Sequence, residues 1–154
     1  MSSNVSWRSV GPAMTSPELL MLDSNIPMYA AGEEHPYRTP CRRVLERIVA
    51  GELEAVTNVE VHQEILHRYI SLGLAAKGRE VSQDFGYLVP RVLPVSLEEI
   101  ELARDLSARY PGLPARDLVH LSVMLNHGIE VVVSADRHFD RCSEIRRLDP
   151  SAMV

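Results

Sequence analysis

The sequence predicts one α/β domain, a mainly parallel central sheet flanked by helices, and three observations carry that expectation. Two short apolar runs, "ELLMLD" (18–23) and "EVVVSAD" (130–136), are bounded by polar residues and do not alternate, the pattern of strands covered on both faces. Between them the apolar spacing turns helical, and parallel strands need such crossovers to be joined. The length of 154 residues matches one hydrophobic core.

Residues 1–17, "MSSNVSWRSVGPAMTSP", are rich in Ser and Pro, lack the apolar stretch of a secretory signal and read as a flexible lead-in, with the domain over 18–154. "ELLMLD" is the first strand. In "CRRVLERIVA" (41–50) the residues Cys41, Val44, Leu45 and Ile48 follow the i, i+3, i+4, i+7 spacing of a helix face, and Gly51 stops it. "EAVTN" (54–58) reads as a strand and "VEVHQEILHRYI" (59–70) as a helix. The next stretch, residues 71–92, holds three glycines and predicts a turn and a less regular helix. "RVLPV" (91–95) reads as a short strand. Ser96 followed by Glu99 is a capping box, so a helix starts there. "PARDLVHLSVMLNHG" (114–128) places Pro114 in a first turn, Leu118, Leu121, Ser122 and Leu125 on an inner stripe, and Gly128 at the end. After "EVVVSAD", "IRRLD" (145–149) reads as an edge strand.

The formal net charge of -5 excludes a protein that coats nucleic acid by bulk attraction, so any such contact must be local. Cys41 and Cys142 lie far apart without CxxC or paired-histidine spacing, which supports neither a zinc site nor a disulfide framework and makes a reduced cytoplasmic compartment the expectation. No run approaches the roughly 18 apolar residues of a membrane helix, so no membrane partner is expected.

Both of these apolar runs end in an aspartate, Asp23 and Asp136. In open parallel sheets, sites form beyond the carboxyl ends of the strands. Glu64 and Asp117 fall near the starts of helices, so four carboxylates can meet in one cleft. Two carboxylates about 5 Å apart repel by roughly 3 kcal/mol at an effective dielectric near 20, which calls for a compensating cation. Oxygen donors without thiolates or paired histidines suit Mg²⁺ or Mn²⁺, and those ions point to phosphodiester hydrolysis by a water that the ion activates.

"LLMLDSNIPMYAAG", "VEVHQEILHRY", "LPARDLVHLSVML" and "VVVSADRHFDR" resemble, in order and spacing, the four blocks of the PIN-domain nucleases, in the style of the VapC-type toxins of bacterial toxin–antitoxin pairs. The likeness runs from about Glu18 to Pro150. It implies a metal-dependent endoribonuclease with an acidic quartet of Asp23, Glu64, Asp117 and Asp136, and with Asn25 and Ser134 orienting ligands or water. It also implies an RNA substrate, a small antitoxin that places an arginine or bulky side chain in the acidic cleft, and a homodimer. Arg116 and Arg137 are the best-placed candidates for RNA phosphates, ahead of Arg42, Arg43, Arg47 and Arg68.

Each acid also has a plainer reading. Asp23 can cap a following helix, Asp136 can serve a turn, and Asp117 can answer a helix dipole. Glu64 can pair with Arg68 one turn on, with Glu60 as the alternative ligand. Asp140 reads as a helix-start acid. The histidines read as surface or packing residues, and no general-base histidine is expected. Two other functions compete. A non-catalytic PIN-like module binding RNA or protein would not need the acids. Phosphotransfer of the receiver or phosphatase kind wants a late strand-end lysine or Asp-x-Asp, whereas Lys77 is the one lysine and Asp23 opens Asp-Ser-Asn.

Overall fold

The computed structural model describes residues 17–153, so the lead-in expected over 1–17 lies, apart from Pro17, outside the described residues. The chain runs β1 (Leu19–Leu22), α1 (Asn25–Ala31), α2 (Arg38–Val49), β2 (Glu54–Asn58), α3 (Val59–Ser71), α4 (Ala75–Leu88), β3 (Val92–Leu93), α5 (Leu97–Arg109), α6 (Ala115–Asn126), β4 (Val131–Val133) and β5 (Arg146–Leu148), with a 3-10 turn over Arg137–Arg141 between the last two strands. The sheet order is β3-β2-β1-β4-β5 and every pairing is parallel.

The side-chain period of two divides the core between the faces of that sheet. Leu20 and Leu22 of β1 and Val131 and Val133 of β4 point to one face, packing with Ile26, Val44, Ile65 and Phe85 from the first four helices. Met21, Val56 and Val132 point to the other, against Val123 and Met124 of α6. Leu22, Val56 and Val132 are completely buried, each contributing roughly 1.5–3 kcal/mol over an exposed position. Covering both faces is what the unalternated runs demanded.

Two expectations are corrected. Residues 75–88 form a regular helix rather than an irregular one. Of the three glycines only Gly73, at φ 74, makes the turn, while Gly78 lies where an added Cβ would stand 2.8 Å from Tyr69 Cβ, so its bareness lets α4 close on α3. The strand expected over 91–95 pairs only at Val92 and Leu93, next to Pro94, which has no N–H to give a ladder. The capping box of Ser96 and Glu99 is present at α5, and Gly51 and Gly128 follow α2 and α6 in the left-handed region.

Candidate metal and catalytic site

From β1 the chain crosses to β2 on one side, while β4 lies on the other side. The loops after β1 and β4 therefore part and leave a crevice at their carboxyl ends. A cleft of about 940 Å³ opens there, and Asp23, Glu64, Asp117 and Asp136 all line it.

Asp23 follows β1, and its backbone N–H still donates to Val133 O at 3.1 Å, extending the pairing by one residue. Its carboxylate does not cap α1, whose N-cap is Ser24 without a side-chain bond. Instead Oδ1 accepts from Ser24 N (2.8 Å), and Oδ2 accepts from Ser134 Oγ (2.7 Å) and Asn25 Nδ2 (3.2 Å). The Ser134 hydroxyl also accepts from Asn25 Nδ2 and Asp136 N, both at 2.9 Å, and Asn25 Oδ1 accepts from Ala135 N at 3.2 Å. Asn25 and Ser134 thus tie the β1 loop to the β4 loop.

Glu64 is carried in from α3, and no ion pair with Arg68 forms among the described residues. Its Oε2 accepts from Ser24 Oγ at 2.6 Å and its Oε1 faces His120 Nε2 at 2.6 Å. Glu60 lines the same cleft one turn earlier, where burial, then the Glu64 charge, raise its pKa. Asp117 sits in the first turn of α6, as its plainer reading required, and is 2% exposed. Asp136 caps the 3-10 turn by accepting from His138 N at 2.9 Å, and lies within the cleft as well.

Two histidines depart from the expectation of surface or packing roles and lie among the carboxylates. His120 is 1% exposed, with Nε2 on Glu64 and 3.7 Å from Asp23 Oδ1. His138 Nδ1 lies 3.1 Å from Asp117 Oδ2 and 3.2 Å from Asp136 Oδ1. The donors fall into two groups, Asp23 with Glu64 and His120, and Asp117 with Asp136 and His138, each with its ligand atoms within 4.8 Å of one another. The signal in the sequence was Asp117-x-x-His120, two residues one helical turn apart and on one face.

Electrostatically the cleft is a concentration of negative charge. Burial, then the charges of Asp23 and Asp136, push the Asp117 carboxyl up to about 6. Burial also raises Asp23, against the opposing pull of His120 and Ser134. Burial alone would raise Glu64, but hydrogen bonds with His120 and Ser24 hold it below its ordinary value. The nearest guanidinium to Asp117 is Arg116, with Nε 3.9 Å from Oδ1 and its side chain half exposed. Hard oxygen donors at this density, with no thiolate, fit a divalent cation.

The remaining candidates separate. Arg116 and Arg68 line the cleft, whereas Arg137 is exposed on the 3-10 turn and is not part of the lining. Arg47 is engaged by Glu52 Oε2 and Met153 O. Asp140 is bound on both oxygens by Arg147, at 2.8 and 3.2 Å, and is not part of the cleft lining. His62 packs on Phe85 and bonds Ser82, a packing role as expected. Cys41 and Cys142 are buried free thiols, pushed by burial to about 12 and about 11. No helix of the described residues is long and apolar enough to cross a membrane.

The PIN domain family profile matches residues 20–145. Ribonuclease VapC13 of Mycobacterium tuberculosis is 42% identical over 134 residues, which is 84% of this chain and 99% of that protein. Ribonuclease VapC23 of the same species is 34% identical over 77% of this chain and 93% of its own length. Among solved structures, M. tuberculosis VapC20, described as a sarcin-ricin loop cleaving toxin, superposes with a TM-score of 0.67 at 15% identity, covering 80% of this chain and 95% of that one. VapBC2 of Rickettsia felis, bound to a promoter DNA fragment, gives 0.65 at 16% identity, over 84% and 97%. These two share the fold. With a family match over most of its length and close VapC relatives, the chain belongs to the PIN-domain family, in its VapC branch.

Proposed function

We propose that this chain is a metal-dependent endoribonuclease and the toxin of a toxin–antitoxin pair, with its nuclease domain over residues 18–154. The observation that carries the reading is the gathering of four carboxylates from four distant segments into one cleft at the switch point, where burial and then the charges of Asp23 and Asp136 raise the Asp117 carboxyl to about 6. Such a cluster gains from a bound cation what it loses by repulsion. Asp23, Glu64, Asp117 and Asp136 hold the ion, Mg²⁺ or Mn²⁺ by the hardness of the donors. When bound, the ion supplies Lewis acidity at the scissile phosphate and eases deprotonation of the attacking water.

The chain's own residues do the rest. Asn25 and Ser134 fix the Asp23 carboxylate, so its free lone pairs are aimed rather than mobile. Arg116, on the lining beside Asp117, and Arg137, exposed and next in sequence to Asp136 of that lining, take RNA phosphates that an acidic protein would otherwise repel. The VapC relatives are named ribonucleases, which supports RNA as substrate, and a cellular RNA substrate sets the cytoplasm as the place of action. A small antitoxin fits the same electrostatics: a cationic side chain in the cleft would mask the carboxylates and exclude substrate. Homodimerisation follows the family likeness.

The test is cleavage of RNA by the purified chain. Cutting with Mg²⁺ or Mn²⁺ that stops in excess chelator is expected, and cutting that persists in chelator contradicts the reading. A module that only binds RNA or protein would have no ion site and no thermal shift on adding Mn²⁺.

A further inference from the structure

His120 lies among the carboxylates of the cleft, with Nε2 2.6 Å from Glu64 Oε1 and 3.7 Å from Asp23 Oδ1, close enough to share an ion with them. Whether it is a ligand depends on which nitrogen carries the proton, and its hydrogen-bond partners decide that.

Asn58, the last residue of β2, is the N-cap of α3, and its Oδ1 accepts from Val61 N at 3.1 Å. That bond fixes the orientation of the amide, because the reversed amide would set an NH₂ against the Val61 N–H and uncap the helix. The Asn58 NH₂ therefore points at His120 Nδ1, 2.9 Å away, which must accept. With Nδ1 as the acceptor, the ring proton lies on Nε2, and Nε2 donates to Glu64 Oε1 at 2.6 Å. Both side chains of this relay are sealed from water: Asn58 is 0% and His120 1% exposed. An Nε2 bearing a proton has no lone pair for a cation.

We infer that His120 is a positioning residue and not a metal ligand: the α3 cap sets Asn58, Asn58 sets the imidazole, and the imidazole together with Ser24 holds Glu64 with one oxygen engaged by each. Ser24 Oγ takes the second oxygen at 2.6 Å. The carboxylate is thereby presented to the ion site in one orientation, and the helix start is mechanically linked to it. Glu60, on the same face without this support, is left as a rim charge. This inference rests on the proposed ion site, since it takes Glu64 to be one of the groups that binds.

The test uses the full chain and Mn²⁺ as probe, with two variants that differ by one methylene. In His120→Gln the amide nitrogen reaches the place of Nε2 and can still donate to Glu64. In His120→Asn it reaches only the place of Nδ1. Calorimetric titration is expected to show Mn²⁺ affinity falling about 10–100-fold in the Asn variant and by no more than about 3-fold in the Gln variant. A long-range ¹H–¹⁵N spectrum of the Mg²⁺-loaded parent, which needs neither variant to fold, is expected to show His120 with its proton on Nε2 alone. Equal affinities in the two variants, or a proton on Nδ1, would overturn the inference while leaving the ion site standing. A parent that binds no Mn²⁺ would remove the site and the inference together.

Discussion

Replacing Asp117 by Asn should make the metal-free protein more stable while destroying its use of metal. Asp117 titrates at 3.8 when solvated and at about 6 in the fold, so between these values the folded state holds the extra proton. Its contribution to stability is therefore fully present below pH 3.8 and is lost as pH rises through about 6. The rise is worth at most about 3 kcal/mol. Because the cleft in front of Asp117 is open to water, we expect roughly 1–3 kcal/mol, or about 3–10 °C in Tm for a chain of this length. Asn has the shape of the protonated acid and none of its charge. In chelator at about pH 7.5 the variant should melt above the parent, and that advantage should shrink toward zero as pH falls below 6. Saturating Mn²⁺ should reverse the order, since the parent alone gains fully from binding. A variant that melts below the parent in chelator, or an advantage that does not change with pH, would refute the penalty on the Asp117 charge from its burial and from Asp23 and Asp136.

Three further outcomes follow from the same geometry. Asp23→Asn should lower RNA cleavage at least about 100-fold in a single-turnover assay, with a circular dichroism spectrum like the parent's, because the backbone bond to Val133 does not involve the carboxylate. Ser134→Ala should weaken Mn²⁺ binding by about 10-fold in a titration, because the hydroxyl donates to Asp23 and accepts from both Asn25 and Asp136 N. Gly78→Ala should cost about 1–3 kcal/mol in urea unfolding, since its Cβ would meet Tyr69 Cβ at 2.8 Å and force α3 and α4 apart.

Periodicity made the frame of the fold legible. The unbroken apolar runs at 19–22 and 131–133 could only be buried on both faces, and they sit side by side at the centre of the sheet. Residues 75–88 were obscured because glycine is ambiguous: Gly73 bends the chain, whereas Gly78 makes room for Tyr69, and local sequence carries no sign of which. At the site, the acids were legible because a carboxylate ending a buried strand is costly and asks for a reason. His120 carries only the faint Asp117-x-x-His120 spacing and Ser24 no signal, because their meaning lies in contacts across 56 and 40 residues with Glu64. Asp23 shows the difference most clearly. Beside Ser24 and Asn25 it reads as helix-capping chemistry, yet its oxygens face Ser24 N and Ser134. Only the β1–β4 pairing brings Ser134 within reach.

Anomalous diffraction from a crystal soaked in Mn²⁺ tests most directly whether these carboxylates share a cation. The account predicts a peak in the cleft within about 2.0–2.3 Å of oxygens from Asp23 and at least one of Asp117 and Asp136. A soaked crystal with an accessible cleft and no peak there, or with Mn²⁺ bound only elsewhere on the surface, would contradict it.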